Sequence, residues 1–212
     1  IYFTGAKEHQ LKLRDMALDK DQKLNEYGLF DRDDNKLAGE TEEDVYRAFN
    51  LAYVEPELRE NRGEIDAARK KSNLPKLIEL DDIRGDLHCH TTWSDGRASI
   101  QEMAEKAKEL GYDYLAITDH SKRMRMVNGL NGDDLKRQAE EIREAGEQIK
   151  GLTLLTGCEV DILEDGSLDL DDDVLAELDI VICSIHSKMN LSGKKQTNRL
   201  LRAIENPNCQ IL

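Results

Sequence analysis

The sequence has 212 residues, a formal net charge of −14, and 35% charged residues. No apolar run approaches the ~20 residues of a membrane-spanning helix, and the N-terminus lacks the basic and apolar regions of a signal peptide. This acidic composition predicts a chain with no membrane partner and disfavours nonspecific nucleic-acid binding. The four cysteines form no C-x-x-C pair, which indicates a reducing, cytoplasmic location.

The first third of the sequence predicts short helices separated by turns. A basic helical stretch follows Tyr2 to Gly5, and we interpret His9 within it as a surface residue or as one that lies near DNA. Residues 25–37 predict a short hairpin that turns at the polar residues 33–35. Thr41 is expected to cap the next helix, because acidic residues fill the first turn after it.

The character of the chain changes twice after this point. Residues 55–83 are polar and hold two of the three prolines, which predicts a linker with short helical turns. From Ile83 onward, apolar strands alternate with amphipathic helices, one of which begins at the capping-box pair Ser99 and Glu102. Continuously apolar strands separated by helices predict a parallel sheet covered by helices, which is an α/β fold.

The length of this second part limits its architecture. The residues from 84 onward fall well short of the ~250 residues of a closed β/α barrel. The last residues, 209–212, look like the opening of a fifth strand. We therefore expect a partial β/α barrel and a chain that is a piece of a longer protein.

Side chains with metal-binding chemistry stand at the end of each predicted strand. His88 and His90 are two apart, so in an extended segment both point to the same side. Together the strand ends supply His88, His90, Asp95, His120, Glu159 and His186. The carboxyl ends of parallel strands meet at one edge, and imidazole with carboxylate suits zinc, manganese or iron. The sequence therefore predicts a divalent metal site, although any one of these histidines alone would more often be satisfied by ordinary hydrogen bonds.

Residues around the predicted site have two interpretations each. Lys122, Arg123 and Arg125 follow His120 and are expected to bind a DNA phosphate, the alternative being a solvated basic loop. Asp119 either fixes the orientation of a histidine ring or caps a turn. Trp93 either stacks on a base or packs on the rim of the barrel.

The segments H-C-H, S-D-G, T-D-H, G-C-E-V-D and I-H-S resemble the polymerase and histidinol phosphatase (PHP) family of metal-dependent phosphoesterases. The resemblance implies a distorted β/α barrel with up to three divalent ions, manganese, zinc or iron. It implies that the six strand-end residues are metal ligands, with Glu159 as the bridge between ions. His120, Glu159 and Asp95 are the residues expected to be catalytic.

The segments Y-F-T-G, L-N-E-Y-G-L-F and T-E-E-D-V-Y-R-A-F are similar to the thumb of family X DNA polymerases. In that family the motif at Tyr2, Phe3 and Gly5 lies near the incoming nucleotide. A thumb followed by a PHP domain is the order found in bacterial and archaeal members. The resemblance divides the chain into a thumb-like region at 1–60, a linker at 61–82 and the N-terminal part of a PHP domain at 83–212.

Both resemblances imply a 3′–5′ exonuclease or phosphoesterase within a DNA repair polymerase that acts on 3′ ends and gapped DNA. Two alternatives are a noncatalytic PHP platform and a standalone phosphatase of the histidinol phosphate type. The thumb-like residues count against the second alternative. The family's remaining ligands would follow residue 212, so we expect little nuclease activity from these 212 residues alone.

Overall fold

The computed structural model describes residues 1–70 and 74–212, and the chain divides into two compact units. Unit 1 is Ile1–Leu77 and unit 2 is Ile78–Leu212. The predicted linker, 61–82, includes residues 71–73, which lie outside the described residues. The same range holds a helix, Glu64–Arg69, whose Ile65 and Ala68 are buried in the core of unit 1. The boundaries at 60 and 82 stay predictions.

Unit 1 packs helices on a small antiparallel sheet. Its elements are α1 (Lys7–Leu18), β1 (Lys23–Asn25), β2 (Gly28–Phe30), β3 (Lys36–Ala38), α2 (Glu42–Ala48) and α3 (Glu64–Arg69). The predicted hairpin corresponds to β2 and β3, and β1 adds a further antiparallel strand on the other side of β2. The predicted cap is confirmed, because Thr41 Oγ1 accepts a hydrogen bond from the backbone of Asp44.

His9 corrects one prediction, because it is fully buried instead of lying on the surface. Its Nδ1 lies 2.5 Å from Glu64 Oε1 and its Nε2 lies 2.8 Å from the hydroxyl of Tyr46. Burial lowers the pKa of His9, and the hydrogen bond to Glu64 only partly offsets that effect. A neutral ring then donates from Nδ1 to Glu64 and accepts at Nε2 from Tyr46. The helical pattern of α1 did not reveal this, because both partners come from other elements.

Unit 2 contains a parallel four-stranded sheet with helices in the connections. Its elements are β4 (Gly85–Cys89), α4 (Ile100–Glu109), β5 (Tyr114–Ile117), α5 (Gly132–Gln148), β6 (Thr153–Asp161), α6 (Asp172–Leu175), β7 (Ile180–Ser184) and α7 (Gly193–Ile204). The strands run side by side in chain order. The curled sheet is a half barrel, which confirms the predicted α/β fold class.

Local signals explain where the elements of unit 2 begin. The capping box is confirmed, since the backbone of Ser99 donates to Glu102 at 2.8 Å and the Ser99 hydroxyl accepts in return. Helix α5 begins at Gly132, because the side chain of Asn131 caps it by accepting from the backbone nitrogens of Asp133 and Asp134. Ile211 pairs with Ile182 in a single parallel bridge, which agrees with the expected fifth strand.

Two features fix the positions of β6, β7 and the segments that follow them. A side chain at Gly157 would lie 2.8 Å from methyl groups of Thr118 and Ile180, so only glycine fits between the neighbouring strands there. Arg199, 1% exposed, donates to the carbonyl oxygens of Leu163 at 2.7 Å, Ser187 at 2.8 Å and Ile162. This one side chain on α7 therefore ties together the two segments that follow β6 and β7.

Helices of the length and apolarity required to cross a bilayer do not occur among the described residues.

Candidate metal centre

The carboxyl edge of the sheet in unit 2 collects all six predicted ligands. His88 lies within β4 and His90 directly after it, and the following loop carries Asp95. His120 follows β5, Glu159 lies near the end of β6, and His186 follows β7. Because parallel strands end on the same side, one edge receives a ligand from every strand.

The Glu159 carboxylate is the centre of this cluster, and it is 5% exposed. Its Oε2 lies 3.3 Å from His88 Nε2, 3.1 Å from His90 Nε2 and 3.0 Å from His120 Nδ1. Its Oε1 lies 3.1 Å from His186 Nε2. Four imidazoles thus surround one carboxylate, three at one oxygen and one at the other.

Asp95 supplies a second carboxylate on one side of the cluster. Its Oδ1 lies 2.8 Å from His90 Nδ1, and its Oδ2 lies 3.6 Å from His120 Nε2. Three sets of ligand atoms lie within 4.8 Å of one another: His88 with His90 and Glu159, His90 with Asp95 and His120, and His120 with Glu159 and His186. The shared members show that neighbouring ion positions would use the same side chains.

Electrostatics at the centre favour positive charge. Burial alone would raise the pKa of Glu159, but contacts with His120 and His90 hold that pKa far below its usual range. Contact with Glu159 raises the pKa of His90 to about 8, against the opposing effect of burial. The carboxylate is therefore ionised, and the imidazole beside it gains from a positive charge.

The donor set fits divalent cations. The buried Nδ1 atoms of His120 and His186 lie 3.0 Å from Glu159 Oε2 and 3.4 Å from Asp161 Oδ1, but within the described residues neither contact has the geometry of a hydrogen bond, although buried ring nitrogens normally form one. The Nε2 atoms of His88 and His90 face each other at 3.3 Å. Lone pairs that converge on one carboxylate without enough protons to share are what a cation would satisfy.

The Asp119 carboxylate binds the turn that follows β4, and among the described residues it forms no hydrogen bond with a histidine ring. Its carboxylate accepts from the backbone nitrogens of Thr91 and Ser94 and from both hydroxyls. Gln138 on α5 donates to it at 2.6 Å. Of the two interpretations of Asp119, the structure shows the turn, and this turn carries Asp95.

Trp93 and Arg123 both contact other parts of unit 2. Trp93 packs against the apolar core of unit 2 and donates from its indole nitrogen to Glu141 at 3.0 Å. Arg123 lies with its Nε 2.9 Å from Asp161, a buried carboxylate that the sequence did not single out as functional. Lys122 is exposed, and the Arg125 side chain lies outside the described part of the structure.

The predicted nucleotide-proximal residues belong to unit 1. Phe3 is 90% exposed and Tyr2 is 47% exposed, and their rings meet edge to face at 5.0 Å. Gly5 has a φ of +81° and lies against Arg59, so a side chain there would collide. The buried Arg59 donates to Thr4 and, at 2.6 Å, to Glu42, which holds this segment in place.

Comparisons with known proteins match both units. Residues 1–60 match the DNA polymerase beta thumb and residues 86–206 match the PHP domain. The DNA polymerase/3′-5′ exonuclease PolX of Bacillus subtilis is 43% identical over 212 residues, 100% of this chain and 37% of that protein. A probable phosphatase of Clostridium novyi is 33% identical over 136 residues, 60% of this chain and 51% of the relative. The chain thus spans between about a third and about half of the length of these relatives.

Proposed function

Because the chain belongs to the PHP-domain family, whose match covers more than half of it, we propose that its metal centre hydrolyses phosphodiesters. The finer proposal is a metal-dependent 3′–5′ exonuclease or phosphoesterase that acts on DNA. The observation that carries it is the buried Glu159 carboxylate with four imidazoles around it. A carboxylate with a purely structural role does not require four imidazole nitrogens to converge on it, whereas a metal site does.

The proposed ligands are His88, His90, Asp95, His120, Glu159 and His186, and manganese, zinc and iron all suit this set. Divalent ions held there would lower the pKa of a bound water and neutralise phosphate charge. The two oxygens of Glu159 face different groups of histidines, which supports the bridging position. Asp95 orients His90 through the 2.8 Å contact with its Nδ1. We propose His120, Glu159 and Asp95 as the catalytic residues.

Binding of DNA beside the centre is proposed for the basic loop of Lys122, Arg123 and Arg125. An open groove of about 710 Å³ is lined by Lys122 and Arg123 of this loop, together with Leu163, Leu168 and the carboxylates Asp169 and Asp171. Cations next to a metal centre attract the phosphodiester backbone. The thumb match, with exposed Tyr2 and Phe3, supports contact with DNA in unit 1.

The name of the Bacillus subtilis relative, a DNA polymerase/3′-5′ exonuclease, supports a place in DNA synthesis and 3′-end processing. We therefore propose 3′ ends and gapped DNA as substrates and DNA repair as the process. Within the full protein, residues 1–60 would serve as the thumb and residues 83–212 as part of the nuclease domain. A cytoplasmic location stays a prediction from the composition.

The test removes the central carboxylate and measures manganese binding and nuclease activity together. In the full-length protein, Glu159→Gln should abolish manganese binding in calorimetry and the manganese-stimulated release of nucleotides from a 3′-labelled oligonucleotide. Glu164→Gln, which removes an exposed carboxylate paired with Lys188, is the matched control and should leave both unchanged. Undiminished release by the Glu159 variant would overturn the proposal.

A small-molecule phosphatase is the second candidate, since relatives named probable phosphatases match 60% of this chain at 33% identity. The same preparation should be assayed with histidinol phosphate. Hydrolysis of this monoester without release of nucleotides from DNA would favour the second candidate. Metal binding with neither activity would favour the noncatalytic platform.

A further inference from the structure

Asp161 is a buried carboxylate, 1% exposed, that contacts two functional elements at once. Its Oδ1 accepts a hydrogen bond from the backbone nitrogen of His186 at 3.1 Å and lies 3.4 Å from Nδ1 of that ring. Its Oδ2 lies 2.9 Å from Nε of Arg123. One side chain therefore connects a proposed metal ligand with a proposed phosphate contact.

Backbone hydrogen bonds hold both members of the Asp161–Arg123 pair in place. The backbone nitrogen of Asp161 donates to Ser121 Oγ at 3.0 Å, and the backbone nitrogen of Arg123 donates to Asp169 at 2.9 Å. The ion pair at Nε restricts where the planar guanidinium can lie. Within the described residues, no ion pair uses the two Nη groups of Arg123, whose side chain is 43% exposed.

We infer that Asp161 is a positioning residue that holds His186 in the metal centre and aims Arg123 at a phosphate of the bound substrate. This inference rests on the proposed function. The hydrogen bond from the His186 backbone to Asp161 fixes the position of the segment that carries this imidazole, and the ion pair of the same carboxylate keeps the guanidinium beside the groove. Loss of Asp161 therefore weakens metal binding and phosphate binding together, whereas loss of Arg123 weakens phosphate binding alone.

The experiment compares Asp161→Asn, Arg123→Gln and the double variant in two binding assays. Manganese affinity is measured by calorimetry, and affinity for a fluorescein-labelled oligothymidylate is measured by anisotropy over a range of salt concentrations. Asp161→Asn should reduce manganese affinity about tenfold or more. Both single variants should lower the salt slope of DNA binding by about one. The double variant should bind DNA as Arg123→Gln does, because the two changes remove the same contact.

Asp165→Asn is the matched control, since this exposed carboxylate also pairs with an arginine, Arg202, at 3.0 Å. It should leave both affinities unchanged. Additive losses in the double variant, or a gain in DNA affinity in Asp161→Asn, would overturn the inference. Arg123 is partly exposed, so Arg123→Gln should fold normally, and an unchanged salt slope in this variant also overturns it.

The same data separate failure of the inference from failure of the proposed function. If the unaltered protein binds manganese and DNA while Asp161→Asn matches it in both, only the inference is wrong. If the unaltered protein binds neither, the proposed function is wrong and the inference falls with it.

Discussion

Units 1 and 2 both bury imidazole side chains, but their ring nitrogens have different surroundings. In unit 1, His9 has a partner at each nitrogen, Glu64 at one and the Tyr46 hydroxyl at the other. In unit 2, the buried Nδ1 atoms of His120 and His186 lie near carboxylate oxygens of Glu159 and Asp161 but form no hydrogen bond of normal geometry among the described residues. The ring of His9 is satisfied as a structural group, whereas ring nitrogens in the cluster of unit 2 are open to a cation. Burial alone does not separate a structural histidine from a candidate ligand, but the partners of its two nitrogens do.

The largest effect is expected where the partnered ring is removed. His9→Ala deletes a fully buried side chain and leaves Glu64 and Tyr46 without their partner. We expect the free energy of unfolding of unit 1 to fall by about 3 kcal/mol. Hydrogen exchange followed by peptide mass spectrometry resolves the two units. Unchanged protection in unit 1 would show that the pairing contributes nothing.

The second-largest effect is the gain in stability that bound manganese is expected to give unit 2. Manganese at about 100 times its dissociation constant should stabilise unit 2 by about 2.7 kcal/mol. His120→Ala should lose this gain, because two of the three ligand sets contain His120. His9→Ala is the matched control, a buried histidine outside the cluster, and should keep the gain. Fluorescence of Trp93, the only tryptophan, reports the unfolding of unit 2. An equal gain in the His120 variant would contradict the assignment.

The smallest effect is a pH dependence of opposite sign in the two units when a chelator is present. The pKa of His9 is lowered by burial, so its contribution is present above about 6.5 and is lost as pH falls. The pKa of His90 is raised to about 8 by Glu159, so its contribution is present below about 6.5 and is lost as pH rises through about 8. Each slope is at most about 1.4 kcal/mol per pH unit. Hydrogen exchange at pH 5.5, 7 and 8.5 measures both, and slopes of equal sign would refute the contrast.

Much of the fold was predictable because its signals are local. Strand ends and helix caps depend on neighbouring residues, so the capping box at Ser99 and the cap at Thr41 were predicted from a few positions each. The convergence of the six proposed ligands was predictable because each lies near or after the end of an apolar strand and parallel strands end together. The hairpin of β2 and β3 was predicted from the polar turn at 33–35, whereas β1 was missed because three residues are too few to show an alternating pattern of their own.

What escaped prediction depends on contacts between distant parts of the chain. The partners of His9 lie 37 and 55 residues away, so its own helix could not show that it is buried. Asp161 was visible within G-C-E-V-D, but its contact with Arg123 spans two strands. Asp119 was predictable as a functional neighbour, yet only the structure distinguishes the turn at Thr91 and Ser94 from a histidine ring.

The grip of Arg199 on three carbonyl oxygens has a consequence for the order in which the protein is made. During synthesis His186 leaves the ribosome before α7, which carries Arg199, has been completed. Until that helix docks, the carbonyls of Ile162, Leu163 and Ser187 keep water as their partner. The nascent chain therefore contains all six proposed ligands before Arg199 can form the hydrogen bonds that join the segments after β6 and β7. Docking of α7 is therefore the step that brings the segments after β6 and β7 to their final positions.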